Sequence, residues 1–121
     1  VGADELAEAE AQALGLDTIA FPAEAGRPMP TGELASAALS DAEQERVWTY
    51  PTRKPFARNA TMVEFCAHLR DVLHAKVAVL ALHAPWSITS GTAHTVERAT
   101  TARLRVKPWT CPAAFGPRVG R

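Results

Sequence analysis

The sequence predicts a small single α+β domain, a few helices packed on an antiparallel sheet or hairpin, with extended termini. Three stretches carry that expectation. Residues 61–73 keep helical spacing behind a capping box, residues 77–82 form a continuous apolar run, and residues 94–107 alternate with period two. The 121 residues are 47% hydrophobic and 21% charged, which suits one domain with a modest core and excludes a fully disordered chain.

Residues 1–30 read as an acidic helical arm followed by a proline-rich linker. Residues 3–14 are nearly all strong helix formers, with Asp4 and Glu5 suited to the first turn and Gly15 placed to end the helix as C′. Leu6 and Leu14 are its only large apolar residues, so this helix has little to bury. Pro22, Gly26, Pro28 and Pro30 mark the segment after it as extended or surface-hugging.

Residues 31–110 read as the α+β body. Thr31 is placed to cap a short helix through Leu39. Ser40-Asp41-Ala42-Glu43 is a capping box, which predicts a second helix from Asp41 to about Thr49. Pro51 and Pro55 then break the chain. Thr61-Met62-Val63-Glu64 is another capping box, and Met62, Phe65, Cys66, Leu69, Val72 and Leu73 follow on one helical face. The run Val77–Leu82 predicts a buried strand, and Ser87–Thr92 a turn. From His94 to Lys107 the alternation predicts one long strand, or two with a bend near Ala99. Residues 111–121, holding Pro112, Pro117, Gly116 and Gly120, read as an irregular basic tail.

Charge is split along the chain. In residues 1–45 ten acids stand against the single base Arg27, and in residues 46–121 twelve bases stand against three acids. The formal net charge of zero is therefore −9 followed by +9. Such asymmetry predicts an anionic partner, or an acidic arm that covers a basic surface. No stretch approaches the roughly 18 uncharged apolar residues of a membrane span, and the N-terminus lacks the basic and apolar pattern of a signal peptide. The expectation is an intracellular protein with no membrane segment. Cys66 and Cys111 are too few for a disulfide framework and read as two thiols.

The sharpest local feature is Arg103, Arg105 and Lys107, placed on one strand face with Trp109 just beyond. Period two spaces such cations about 6.6–6.8 Å apart, near the phosphate repeat of a nucleic-acid strand. Arg53, Lys54 and Arg58 would widen the patch, and Trp86 and Trp109 would offer stacking surfaces. The bland counterpart is a solvated face whose cations keep a strand edge from aggregating. Trp48, Tyr50 and Phe56 form either a docking patch or a core edge.

No catalytic, cofactor or metal motif is present. The histidines and Cys66 lack the spacing of a zinc site, and Cys66 falls on an apolar helix face. The leading expectation is a non-enzymatic interaction module, a subunit of a larger assembly whose basic face contacts RNA, DNA or an acidic protein surface. One alternative is a small enzyme or ligand-binding domain with a site near His83, His94 and the Ser87–Thr92 turn. Another is a homodimerisation domain.

Overall fold

The computed structural model describes residues 3–83 and 90–110. The chain runs α1 (Ala3–Ala13), β1 (Thr18–Ala20), β2 (Met29–Thr31), α2 (Glu33–Glu43), α3 (Pro55–Asp71), β3 (Ala78–His83), α4 (Ser90–Thr101) and β4 (Arg105–Thr110). It is an α+β domain with two small sheets. β1 and β2 form an antiparallel hairpin, whereas β3 and β4 pair in parallel and are joined through α4.

α1 ends as its sequence dictates. Gly15 adopts φ 77° and the Leu16 amide returns to the Ala11 carbonyl at 2.9 Å, a Schellman motif with glycine at C′. The helix rests on β1, where the Gln12 amide donates to Thr18 Oγ1 at 3.3 Å.

The segment expected to be a proline-rich linker instead folds on itself, with Thr18 opposite Thr31, Ile19 opposite Pro30 and Ala20 opposite Met29. Pro30 is tolerated because both strands of a two-stranded sheet are edges. The loop between them is fastened from 28 residues away. The Tyr50 hydroxyl lies 2.6 Å from the Pro22 carbonyl and 3.1 Å from that of Arg27, and the Tyr50 amide donates to the Gly26 carbonyl at 3.0 Å. Gly26 has φ 67°, and a β-carbon there would press on the Tyr50 carbonyl, so glycine is required twice over.

α2 begins at Gly32, which has no side chain to cap it; the Asp17 carboxylate does so instead, accepting the Ala35 amide at 3.0 Å. At φ 107°, Gly32 leaves room for that carboxylate where a β-carbon would sit. The two helices expected on either side of Ser40 are one. Ala35, Leu39 and Ala42 form a single buried stripe that runs through Ser40, so packing overrides the capping box. Residues 46–49, expected to be helical, run with Tyr50 without regular structure and carry Trp48 and Tyr50 into the interior.

α3 starts at Pro55 rather than near Thr61, because a fixed φ and a missing amide suit the first helical position. Both of its sides are buried. Phe65 and Leu69 pack with Leu39, Ala42, Trp48, Ile19 and Phe21; Val63 and Cys66 pack with Val77, Val79, Ala99, Leu104 and Val106. Trp48 meets the Phe65 ring edge-on at 5.3 Å, Phe21 tilts onto Phe65 at 5.7 Å, and the Arg46 guanidinium covers Trp48 at 4.5 Å.

β3 lies where the apolar run predicted a strand, but the long strand expected over 94–107 is mostly α4. A parallel pair needs a crossover, and the helix supplies it. α4 also ends in a Schellman motif: Arg103 at C′ takes φ 59°, its amide reaches the Thr100 carbonyl at 3.0 Å, and the Leu104 amide reaches Ala99 at 2.9 Å. Leu104 and Ala99 bury against each other as the motif requires. Without glycine at C′ the sequence carries no visible stop, and the many threonines of α4 imitate strand composition.

Two expected outcomes follow from these features. Arg103→Gly removes the left-handed strain of a β-carbon and should stabilise the fold by about 1 kcal/mol in urea unfolding; an unchanged or lowered midpoint would contradict the assigned helix end. Burial lifts the Tyr50 phenol above its ordinary value of 10.0, against the opposing charge of Arg58. Its contribution is therefore fully present below about pH 10 and is lost as pH rises through the higher folded value. Tyr50→Phe should cost about 1–2 kcal/mol at pH 7 and flatten the alkaline fall in stability.

Candidate functional site

The side chains of β3 and β4 divide by period two. Val79, Ala81, Leu104 and Val106 turn towards α3 and α4 and are buried or half-buried. Ala78, Leu80, Arg105 and Lys107 turn the other way and are exposed. The register places Ala78 opposite Arg105 and Leu80 opposite Lys107. Adjacent strands lie about 4.8 Å apart, so the face presents an apolar strand beside a cationic one. Leu80 is 56% exposed. Parallel pairs are normally covered on both faces, and here no described element covers the outer one.

The structure keeps Arg105 and Lys107 together and moves Arg103 off their face. Arg103 is held in the helix–strand turn, where its carbonyl and that of Ala102 accept Arg70 Nη1 at 2.9 and 2.8 Å. The hydrogen bond to Asp71 holds Arg70 above its ordinary value, and the same bond holds the Asp71 carboxyl below its own. Arg70 thus locks the last turn of α4 onto α3.

Arg53, Lys54 and Arg58 gather at the other end of α3. The Asn59 amide donates to the Gly91 carbonyl at 3.4 Å near the start of both helices, while Arg70 reaches Ala102 near their ends. α3 and α4 therefore run in the same direction. Asn59 and Arg70 are eleven residues apart, roughly 16 Å along α3, so the two ties hold opposite ends of the helix pair. Arg53 also pairs with Glu24 at 3.2 Å on the open surface, and Arg58 donates to Asn59 Oδ1 at 3.1 Å. The exposed Arg53–Glu24 pair contributes little to stability, but both contacts occupy their cations. Among the described residues, Arg53, Lys54 and Arg58 thus belong to the start of α3, and Arg105 and Lys107 to β4.

Trp109 lies on β4 in register with Leu82, and its side chain is outside the described residues. So are residues 84–89 and 111–121, which include Trp86, Ser87, Cys111, Arg118 and Arg121, and the side chain of His83. Of the alternative site, His94 stacks flat on Phe56 at 4.5 Å, and Ser90 to Thr92 open α4 rather than forming a turn. Trp48 and Tyr50 are core residues and only Phe56 of that trio is exposed. No group of metal ligands occurs among the described residues.

An open cleft of about 440 Å³ lies between β1, α2 and α3, lined by Ile19, Phe21, Leu34, Met62, Phe65 and Cys66 among others. It is apolar. Its one carboxylate, Asp17, is committed to the Ala35 amide, and burial pushes the Cys66 thiol up, away from the reactive thiolate. The cleft can accept an apolar group but brings no nucleophile and base together.

Sequence reasoning missed Leu80 as a surface residue, and with cause: a run apolar at every position signals a strand buried on both faces. Asp17, Asn59 and Arg70, which fasten the site's supports, act through contacts 18 to 33 residues distant in sequence and leave no local signal. Compared with known proteins, the chain matches no family model, no curated protein and no solved structure. No helix among the described residues is long and apolar enough to cross a membrane.

Proposed function

We propose that the chain is a non-enzymatic interaction module, a subunit of a larger assembly, which docks an acidic protein surface on the outer face of β3 and β4. The supporting observation is Leu80, exposed on a parallel pair and set opposite Lys107 with Arg105 beside it. Parallel strands are ordinarily covered on both faces, so an apolar residue on the open side of this pair fits a face that a partner covers. An apolar strand beside two cations matches a partner that offers both apolar side chains and carboxylates.

Of the two partner classes the sequence left open, this favours protein over nucleic acid. A phosphate backbone calls for several cations along one track. Here two share the face among the described residues. Arg53, Lys54 and Arg58 sit at the start of α3, where Arg53 is paired with Glu24 and Arg58 is bound to Asn59. Arg103 serves the turn.

The test is purification of the tagged chain from its native source, with and without nuclease, beside an Arg105→Glu/Lys107→Glu variant of matched thermal stability. The expected outcome is a protein partner that survives nuclease, is lost from the variant, and dissociates as salt rises to about 0.5 M. Loss of the partner on nuclease treatment would return the face to nucleic acid. A partner retained by the variant would place the contact elsewhere.

A further inference from the structure

An acidic surface that matches this face belongs to the chain itself. α1 carries Asp4, Glu5, Glu8 and Glu10 with no base among residues 1–26. Leu6, Glu10 and Leu14 recur every fourth residue, so they form one row on the helix, and all three are exposed. Leu6 is 61% and Leu14 73% exposed. The other side of α1 rests on β1. The row therefore presents leucine, glutamate and leucine to the surroundings at steps of about 6 Å.

The outer face of β3 and β4 repeats with nearly the same step, about 6.6–6.8 Å between alternate residues of a strand. A helix laid along it can set Glu10 beside Arg105 and Lys107 with one of the leucines over Leu80. Within one copy the two surfaces do not pack together. β1, on which α1 sits, belongs to the cluster around Phe65 and Leu69, whereas β3 and β4 belong to the cluster around Val63.

We infer that α1 of a second copy covers the β3–β4 face. The inference rests on the docking reading of that face and names its occupant. The contact joins two different surfaces on different sides of α3, so it is heterologous and runs head to tail from copy to copy. Each contact is one short helix on a two-stranded sheet, which places the pair among weak, concentration-dependent interfaces.

The test is sedimentation equilibrium of the full chain from about 5 to 500 μM, at about 50 and 500 mM salt. The expected result is a reversible, concentration-dependent self-association that weakens roughly tenfold or more at the higher salt. Glu10→Lys alone and Arg105→Glu/Lys107→Glu alone should each be monomeric, with circular dichroism confirming that both are folded. Mixed together they should associate. The charge-reversed helix of the first variant then faces the charge-reversed strand of the second, while the other contact keeps its native signs. A chain that stays monomeric throughout overturns the inference, as does a self-association indifferent to both charge reversals or a mixture that fails to associate. The first of these leaves the docking face itself standing, since loss of a different acidic partner from the Arg105→Glu/Lys107→Glu variant is read separately in the native-source purification.

Discussion

The fold depends on α3 being buried on two sides at once. Residues two apart on a helix point about 200° from each other, so Val63 and Phe65 face nearly opposite ways. Phe65 is the hub of the hairpin half, touching Trp48 and Phe21, while Val63 seats Ala99 and Leu104 of the sheet half. Neither half has enough of its own to bury. The hairpin strands are three residues long, and the parallel sheet has two strands. Isolated pairs of this size are marginal in water, and each becomes stable here because the other supplies the opposite wall.

Around that wall, polar contacts fix orientation where apolar packing alone would leave slack. Asp17 caps α2, Tyr50 fastens the hairpin loop, Asn59 ties the starts of α3 and α4, and Arg70 ties their ends. With α4 fixed at both ends, β3 and β4 are held in register over a small core. One consequence is an inner face covered by α3 and α4 and an outer face with no cover among the described residues. The exposure of Leu80 follows from there being two helices on one side of a two-stranded parallel pair.

Local signals were legible and long-range ones were not. The Gly15 stop, the helix around Phe65 and the strand at 78–83 follow from residues within a turn or two, and each appears in the structure. α4 reads as a strand in the sequence because Thr95, Val96, Thr100 and Thr101 imitate strand composition and because Arg103, not glycine, occupies the left-handed stop. The hairpin was misread because Pro22, Gly26, Pro28 and Pro30 resemble a linker until Tyr50 is brought against them. Of the candidate site, Arg105 and Lys107 were legible as neighbours by period two. The displacement of Arg103 and the partnership with Leu80 both required the crossover. The charge division between an acidic arm and a basic body keeps its physical interest, now as two complementary surfaces on different sides of one helix.

If α3 is the shared wall, weakening one side must loosen both. Native-state hydrogen exchange on the wild type and on Val63→Ala measures this directly, since Leu39 and Ala42 report on the hairpin half and Ala99 and Leu104 on the sheet half. A single cooperative unit requires the variant to lower the opening free energy of all four amides by the same amount, roughly 1–3 kcal/mol. A loss confined to Ala99 and Leu104, with Leu39 and Ala42 unchanged, would contradict it.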